Sequence, residues 1–372
     1  QVHRLDLDAE PLSGVGTGYD VIVIGDLLEH LRDSRPVLEA LYELSTPQAR
    51  IVCCVPNTTH LSVLERLVGG DFSYDDVGLL DRAHVQLCSQ ASAFKAFLDG
   101  GWLPHLHDTY ATQLPANDLT HHLLAAAQAM GVPAATAARN LSMYQMILVC
   151  PKWQMQSLRV ASPAVPFSVI VPVNRPWQHQ LNIARSPGLQ EVGAEVIVVE
   201  NAPNAAAAFA TGSARARHAW RVMVHQDVYF PTGTGHALAR QLGALERAGA
   251  TRSPVGFAGV DAGPDGHGGV RYAGLVIDRV ALFDHGGSDA AVSIDELAVA
   301  MHRDCTLAID PALGWHLWAT DLCLQAMQRD GRPTTRIVQV PLFHNSVCPN
   351  TLPEAFHDSG LALLAKHVDR DR

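Results

Sequence analysis

Short apolar runs that stop at polar residues recur along the chain and alternate with segments of helical periodicity. Before residue 154 these runs are YDVIVIG (19–25), ARIVCCVPN (49–57) and MYQMILVCPKW (143–153). Between them, the apolar residues of LLEHLRDSRPVLEALYELS (27–45) and SQASAFKAFLDGGW (89–102) repeat at helical spacing. Such runs predict buried strands, and their alternation with helices predicts an α/β domain with a parallel, doubly wound sheet.

A second alternation begins at Phe167, after a stretch rich in proline, serine and small residues. We therefore assign residues 1–152 to a first domain, 153–166 to a linker and 167–372 to a second domain. The predicted strands of the second domain are 167–174, 193–201, 221–230, 253–260 and 336–346. Its predicted helices are 204–220, 234–249 and 315–331, with a further short helix in the tail after Cys348.

Length and composition favour a two-domain globular protein. A chain of 372 residues is long for one core, and 48% hydrophobic with 17% charged residues needs no disulfide or structural metal to fold. A net charge of -10 without a basic stripe argues against nucleic-acid binding, and no run approaches the roughly 20 apolar residues of a membrane span. The seven cysteines lack zinc-site spacing and the N-terminus lacks a signal-peptide pattern, so we expect buried thiols and a cytoplasmic protein.

Three glycines at alternate positions, Gly14, Gly16 and Gly18, precede the first predicted strand. A glycine loop that binds a phosphate or a cofactor follows a strand and precedes a helix, so that backbone N–H groups and the helix dipole face the ligand. Here the order is reversed. We predict a flexible loop rather than a cofactor loop.

Three segments of the first domain carry a family resemblance. GYDVIVIGDLLEHLRD (18–33), ARIVCCVPN (49–57) and YDDVGLLDRAHVQLCSQASAFKAFLDGGW (74–102) resemble, in this order, the C-terminal half of class I S-adenosylmethionine-dependent methyltransferases. The resemblance covers about residues 5–152, and it implies an incomplete Rossmann-like sheet. The first strand, glycine loop and ribose-binding acid of that family have no match in this chain. We therefore do not expect these residues alone to bind S-adenosylmethionine or to methylate a substrate.

The resemblance also implies positions that border a cofactor. Asp26, Glu29 and His30 match the strand-end motif of the family, and Asp6 or Asp8 matches the acid that approaches the adenine. Glu29 and His30 are equally well explained as the start of a helix, where an acid suits the helix dipole.

The second domain resembles the GT-A nucleotide-sugar glycosyltransferases, near their large inverting family. The resemblance rests on FSVIVPVN (167–174), VIVVENAP (196–203) and VMVHQDVYFP (222–231), and it covers about residues 167–347. In that family the ends of the first two strands hold the base and ribose of the donor. The resemblance therefore implies a substrate-binding site formed by Pro172, Asn174, Glu200, Asn201 and Gln226.

A divalent cation, Mn2+ or Mg2+, is implied by the third strand of the same family, which ends in Asp-x-Asp. A hard cation held by oxygen ligands stabilises the negative charge of a departing nucleoside diphosphate. This chain departs from the motif, since His225, Gln226 and Asp227 stand there. Asp227 keeps the second acid, and the family often has a histidine at the position of His344. The implied metal ligands are Asp227, His225 and His344, while Asp227 can also be read as a turn residue and His344 as a packing residue.

The general base implied by the resemblance is Asp321, the only carboxylate in the first turns of WATDLCLQAM (318–327). In an inverting mechanism one carboxylate removes the proton of the acceptor hydroxyl. An acid at a helix N-terminus that only suits the dipole is the alternative. Asp295, Glu296 and Asp310 lie in a region where relatives often have acids near the acceptor, and they are equally explained as solvated loop residues.

Three functions follow from these resemblances. The first is an inverting, metal-assisted transfer of a sugar from a nucleotide-sugar donor to the hydroxyl of a glycan or another acceptor. A chain with this activity would be bifunctional if its methyltransferase-like part were complete. The second is a methyltransferase whose cofactor-binding half lies upstream of Gln1. The third is a degenerate module that binds a nucleotide or a glycan without turnover. The sequence leaves open whether the protein forms a homo-oligomer.

Overall fold

The computed structural model describes residues 2–12, 14–153, 165–262, 270–279, 281–346 and 352–368. Two compact units contain them, one within residues 1–155 and the other within 156–346 and 351–372. Both units combine helices with a sheet, so the predicted α/β class is confirmed. The predicted linker, residues 153–166, lies almost wholly outside the described residues. Among the described helices, none combines the length and the apolar character that crossing a membrane requires.

The first unit is built on a four-stranded sheet in the order β1-β2-β4-β3. Its elements are β1 (Tyr19–Gly25), α1 (Arg35–Leu44), β2 (Ser45–Pro56), α2 (Leu61–Val68), α3 (Gln90–Asp99), β3 (His105–Ala111), α4 (Asp118–Ala129), α5 (Ala134–Ser142) and β4 (Met143–Pro151). Strands β1 and β2 are parallel, whereas β4 runs antiparallel to both β2 and β3. The sheet is therefore mixed, which corrects the prediction of a parallel sheet.

Strand β1 is present where the apolar run predicts it, but it is not buried. Among the strands that the structure describes, β2 is its one neighbour, so β1 forms an edge of the described sheet. Val21 and Val23 are 55% and 77% exposed, while Ile24 is buried. An apolar run predicts a strand, but burial depends on what packs over it. The alternating residues of β2 show the opposite case, because Ile51, Cys53 and Val55 are all buried.

Local signals explain where the helices of this unit begin and end. The predicted helical segment 27–45 forms a short 3-10 turn, Leu28–His30, and then α1, because Pro36 lacks a backbone N–H and fits only the first turn of a helix. Helix α3 begins after a capping box between Ser89 and Ser92. Gly100 is its C-cap, as the glycine pair predicts. The glycines before β1 lie in a loop, and the positive φ of 85° at Gly18 is a conformation that favours glycine.

The second unit is built on one large sheet whose main path is β6-β5-β7-β14-β9-β15-β13-β10-β11-β16-β8, with β12 paired to β11. Its first elements are β5 (Phe167–Val173), α6 (Pro176–Leu181), α7 (Pro187–Glu191), β6 (Glu195–Glu200), α8 (Ala205–Arg215), β7 (Trp220–Val224), β8 (Val228–Tyr229), α9 (Thr234–Arg247), β9 (Val255–Gly256) and β10 (Ala258–Ala262). The later ones are β11 (Val270–Asp278), β12 (Leu282–Asp284), β13 (Ser288–Ile294), β14 (Ala298–His302), α10 (Trp318–Asp330), β15 (Thr335–Ile337), β16 (Leu342–His344) and α11 (Glu354–Val368).

Three of the predicted strands are each divided in two, and one of them is the run 253–260, which forms β9 and β10. The run 221–230 forms β7 and β8, which are separated by a turn at residues 225–227. The run 336–346 forms β15 and β16 on either side of residues 338–341. Strands β11 to β14 were not predicted, and of these β11 and β12 form an antiparallel pair. The predicted helices 204–220, 234–249 and 315–331 are confirmed as α8, α9 and α10.

The order β6-β5-β7 positions the functional part of this sheet. Strand β5 is parallel to both neighbours, so the chain leaves it first towards β6 and then crosses to its other side as β7. The carboxyl ends of all three strands meet at one edge, at a point where the connections change direction. Open α/β sheets bind their ligands in the crevice at such a point.

Candidate functional site

A cleft of about 270 Å³ opens at the carboxyl ends of β5, β6 and β7. Its lining comprises Pro172, Val173, Asn174, Asn201, Ala202, His225, Gln226, Asp227 and Trp315. Four of the five predicted substrate-binding residues are among them. Glu200 ends β6 as an exposed residue and is not one of these described lining residues. The cleft thus combines amide side chains, a carboxylate, an imidazole and one indole.

Gln226 organises the first strand end of the cleft. Its Oε1 accepts hydrogen bonds from the backbone N–H groups of Asn174 and Arg175, at 3.1 and 2.9 Å. Its Nε2 donates to Oδ1 of Asn174 at 2.6 Å. Since both ends of this amide are already bonded, Gln226 holds the turn after β5 in place. The exposed side chain of Asn174 is thereby oriented at the cleft.

The second strand end is shaped by backbone geometry. Asn201 has a positive φ of 51°, a conformation that asparagine adopts more readily than most residues. Its N–H donates to the carbonyl of Val173 at 3.2 Å, which ties the end of β6 to that of β5. Helix α8 then begins at Asn204, whose side chain accepts from the N–H of Ala207 at 2.8 Å. The exposed Asn201 side chain is therefore held on rigid elements at the edge of the cleft.

The three predicted metal ligands converge at one end of the cleft. One ligand atom from each of His225, Asp227 and His344 lies within 4.8 Å of the other two. The turn between β7 and β8 supplies His225 and Asp227, and β16 supplies His344. Strand β16 pairs antiparallel with β8, with His344 opposite Val228, and this pairing brings the histidine beside the turn. The Nε2 atom of His344 lies 3.7 Å from Oδ1 of Asp227.

Asp278 is a further carboxylate at this group, and the sequence interpretation missed it. Strand β11 is parallel to β16, with Asp278 opposite His344, and Oδ2 of Asp278 lies 3.5 Å from Nδ1 of His344. Burial lowers the pKa of His344, but the carboxylates of Asp278, Asp227 and Asp295 outweigh it and raise that pKa above its ordinary value. The sequence does contain a signal for Asp278, because GLVID (274–278) is another apolar run that ends in an acid.

His225, one of the three predicted ligands, lies beside a loop that carries two acids, Asp295 and Glu296. The backbone N–H of His225 donates to the carbonyl of Leu297 at 2.9 Å, so the loop at 295–297 lies directly beside this residue. Burial by the surrounding atoms lowers the pKa of His225, and the charges of Asp227 and Asp295 only partly offset this. Asp295 is exposed, and its Oδ1 accepts from the N–H of Leu297 at 2.8 Å. An accessible carboxylate therefore lies within electrostatic range of both histidines.

Glu296 follows Asp295 in the chain, but the environments of their two carboxylates differ. Backbone N–H groups at the start of α10, those of Leu317 and Ala319, donate to its carboxylate, whereas its buried Oε1 has no hydrogen-bond partner among the described residues. Burial and the charge of Asp295 raise the pKa of Glu296 to about 7. The two adjacent acids thus differ, because one is exposed and the other is enclosed against a helix N-terminus.

Asp321, the predicted general base, is placed where it cannot reach an acceptor. It lies in the first turn of α10 and has 0% exposure. Its Oδ1 is 2.7 Å from Nε2 of His367, and its Oδ2 accepts from Nζ of Lys366 at 2.8 Å and from Gln325 at 2.6 Å. A base must approach the hydroxyl that it deprotonates. In this geometry Asp321 attaches α11 to α10. Its burial gives no support to the catalytic interpretation, which stays a prediction.

The cofactor positions predicted in the first unit have mostly local roles. Asp6 lies in an N-terminal turn, where its Oδ1 accepts from the N–H of Asp8 at 3.1 Å. Asp26 follows β1 with a positive φ of 44°, and its Oδ1 accepts from Nε2 of Gln145 at 2.8 Å.

Glu29 and His30 lie in the 3-10 turn after β1. Glu29 is 1% exposed, and burial raises its pKa. Nδ1 of His30 donates to the carbonyl of Ala83 at 3.0 Å. Whether any of them borders a cofactor stays a prediction.

The predicted ligands His225, Asp227 and His344 supply two imidazoles and one carboxylate for the predicted cation, Mn2+ or Mg2+. Mg2+ takes oxygen ligands almost exclusively, whereas two imidazoles and one carboxylate suit a transition-metal ion better. The residues present therefore fit Mn2+ better than Mg2+. Trp315 and Ala202 also line the cleft, and the sequence interpretation did not single them out.

Comparisons with known proteins give only weak similarities. No protein-family model matches the chain, and no curated protein matches it. Among solved structures, a SAM-dependent methyltransferase from Archaeoglobus fulgidus has a TM-score of 0.24 and 15% identity, covering 37% of this chain and 61% of that chain. A methyltransferase in complex with the Haloferax volcanii Trm112 methyltransferase activator has a TM-score of 0.25 and 14% identity. The match covers 40% of this chain and 60% of that chain.

A third solved structure is similar over a longer part of the chain. The mannosyltransferase PcManGT from Pyrobaculum calidifontis, in complex with GDP-Man and Mn2+, has a TM-score of 0.34 and 12% identity, covering 58% of this chain and 70% of that chain. The chain spans about 60% of the length of the two methyltransferase structures. These solved structures are transferases of two kinds, methyl and glycosyl, and scores this low carry no conclusion about the activity of this chain.

Proposed function

We propose that the second unit is a glycosyltransferase that moves a sugar from a nucleotide-sugar donor to an acceptor hydroxyl, with inversion and with the help of a divalent cation. The observation that carries this proposal is the cleft at the carboxyl ends of β5, β6 and β7. It has two exposed asparagines at its strand ends and the group of His225, Asp227 and His344 at one end.

The donor nucleoside is assigned to the strand ends. Asn174 and Asn201 each offer an amide that both donates and accepts, which suits the edge of a base or the hydroxyls of a ribose. Trp315 is 39% exposed at the same cleft, and its indole face can stack on a base. Gln226 contributes indirectly, since it orients Asn174.

The diphosphate is assigned to the other end of the cleft. His225, Asp227 and His344 would hold the cation, and Asp278 would orient the imidazole of His344. When bound, Mn2+ neutralises the charge that develops on the departing nucleoside diphosphate. The protein alone presents a net negative charge here, because Asp227, Asp278 and Asp295 surround the histidines. A diphosphate is therefore expected to bind this end only together with a cation.

Asp295 is assigned the role of general base in place of Asp321. Its carboxylate is exposed beside His225, whereas that of Asp321 is buried. In the proposed reaction the acceptor hydroxyl gives its proton to Asp295 while its oxygen bonds to the anomeric carbon. The bond from that carbon to the diphosphate oxygen breaks on the opposite face, so the configuration inverts. The nucleoside diphosphate leaves with the bonding electrons.

A donor screen tests this function. The purified chain is incubated with individual UDP- and GDP-sugars with and without Mn2+, and release of nucleoside diphosphate is measured. We expect release from one donor class, dependent on Mn2+ and lost in Asp227→Asn. The matched control is Asp289→Asn, because the side chain of Asp289 is 89% exposed and lies outside the cleft lining.

Two results would overturn the proposal. One is the absence of release from every donor by a folded chain that still binds nucleotides, which favours a module without turnover. The other is release that is indifferent to both Mn2+ and the Asp227→Asn substitution, which would place the reaction elsewhere.

A further inference from the structure

A second group of side chains of the metal-ligating type lies in the first unit, outside the cleft lining. One ligand atom from each of Glu29, His30 and His84 lies within 4.8 Å of the other two. Glu29 and His30 are adjacent in the 3-10 turn after β1. The carbonyl of Glu29 accepts from the N–H groups of Val85 and Gln86, at 2.8 and 3.0 Å. These two bonds fix the loop that carries His84 against the turn that carries the other two residues.

The hydrogen bonds of the two imidazoles define their tautomers. The Nδ1 atom of His30 lies 3.0 Å from the carbonyl oxygen of Ala83, and that of His84 lies 3.3 Å from the carbonyl oxygen of Leu79. A carbonyl only accepts, so Nδ1 is the protonated nitrogen in both rings. Each Nε2 then keeps its lone pair. Metal-binding histidines have this same arrangement, in which the nitrogen that does not bind the metal donates to a carbonyl or a carboxylate.

The carboxylate of Glu29 provides an independent observation. Glu29 is 1% exposed, and its buried Oε2 has no hydrogen-bond partner among the described residues. A buried carboxylate oxygen without a partner is unfavourable, and such atoms in native proteins commonly contact an ion or a water. The same side chain has an oxygen within 4.8 Å of both imidazole groups. A cation between them would satisfy the buried oxygen.

We propose that Glu29, His30 and His84 bind one divalent transition-metal ion of the zinc class. Two imidazole nitrogens and one carboxylate oxygen form a ligand set that suits Zn2+, and a set of three protein ligands leaves a fourth position for water or an external donor. Ligand atoms about 2.0–2.1 Å from a tetrahedral ion are about 3.4 Å apart. Small side-chain rotations therefore close the group around an ion. This site is separate from the proposed glycosyltransferase cleft and does not depend on it.

Metal binding to the full chain tests the site. The cleft group is first disabled by Asp227→Asn and His344→Gln, which leaves the first-unit group as the remaining candidate among the described residues. This parent protein is freed of metal with a chelator and titrated with Co2+ and with Zn2+, and bound metal is measured by elemental analysis. We expect one equivalent per chain, visible ligand-field bands of four-coordinate Co2+, and loss of these bands when Zn2+ displaces Co2+.

Variants of the ligands identify the site. In the same background, Glu29→Gln and His84→Gln should weaken Co2+ binding by at least about 100-fold, since loss of even an outer partner of a metal ligand costs roughly 10- to 100-fold. His107→Gln is the matched control, because His107 is an exposed histidine of the same unit. Zn2+ should raise the melting temperature of the parent and of the control only.

The proposal is overturned if the folded parent binds no stoichiometric metal. It is also overturned if both ligand variants bind Co2+ as the parent does, or if His107→Gln loses binding equally. Glu29→Gln keeps the shape of a buried side chain, and His84→Gln changes a loop residue. If one of the two variants does not fold, as judged by circular dichroism, the other still decides.

Discussion

Nε2 of His344 lies 3.7 Å from Oδ1 of Asp227, although the two residues come from distant parts of the chain. The antiparallel pairing of β16 with β8 brings them together, and the parallel pairing of β16 with β11 adds Asp278 on the other side of the same imidazole. His344 therefore lies between two carboxylates. One of them faces the cleft and is suited to share a cation, and the other is suited to orient the ring.

The orienting role of Asp278 can be measured. We expect Asp278→Asn to lower the pKa of His344, because one of the carboxylates that raise it becomes neutral. The affinity for Mn2+ should fall by roughly 10- to 100-fold, as it does when an outer partner of a histidine ligand is lost. Ring-proton NMR titration and calorimetry measure the two effects. Asp284→Asn, an exposed acid on the neighbouring strand β12, is the control, and equal effects of both variants would contradict the assignment.

Asp295 should be required for sugar transfer but not for donor binding. We expect Asp295→Asn to slow transfer by about 10²- to 10⁴-fold, the usual contribution of a general base, with unchanged affinity for the donor. Asparagine keeps an oxygen that can accept from the N–H of Leu297, so the loop should hold its shape. Steady-state kinetics together with calorimetry separate rate from binding. Full activity of this variant would exclude Asp295 as the base.

Asp321 should matter for stability rather than for chemistry. Its buried carboxylate is paired with Lys366 and His367 of α11. Removing one partner of a buried ion pair costs about 3–5 kcal/mol, because the remaining charge loses its partner. We expect Asp321→Asn and Lys366→Met to lower the free energy of unfolding, measured in urea, by amounts of this order. Transfer by the protein that remains folded should persist, and a fully folded but inactive Asp321→Asn would restore the catalytic interpretation.

Glu296 should make stability depend on pH. Burial raises its pKa from an ordinary value of 4.5 to about 7 in the folded protein. The folded state therefore binds this proton more tightly than the unfolded state does. The resulting stability is fully present below about pH 4.5 and is lost as the pH rises through about 7.

Glu296→Gln removes this dependence. Relative to the original protein, its free energy of unfolding should rise between pH 4.5 and pH 7 by up to about 3 kcal/mol. Urea unfolding of both proteins across this range measures the difference, which isolates Glu296 from other titrating groups. The exposed Glu10→Gln is the control and should follow the original protein. A constant difference across the range would contradict the raised pKa.

The sequence by itself determined most elements and several positions of the candidate site. Apolar runs and the glycines at 100–101 act within short windows, so helices and strands can be predicted there. The resemblance of 167–174, 196–203 and 222–231 to GT-A glycosyltransferases implied a site at the ends of these strands. Asn174, Asn201, Gln226 and Asp227 accordingly line one cleft.

Only the tertiary structure decided which of these residues meet and which are enclosed. Strand β1 is exposed although its sequence is apolar, and Asp321 is buried against α11 although the sequence interpretation made it the general base. Asp278 joins His344, and His84 joins Glu29, through pairings between distant segments. Such contacts depend on strand order and loop path. These are set by how the whole chain packs and not by the residues on either side of a position.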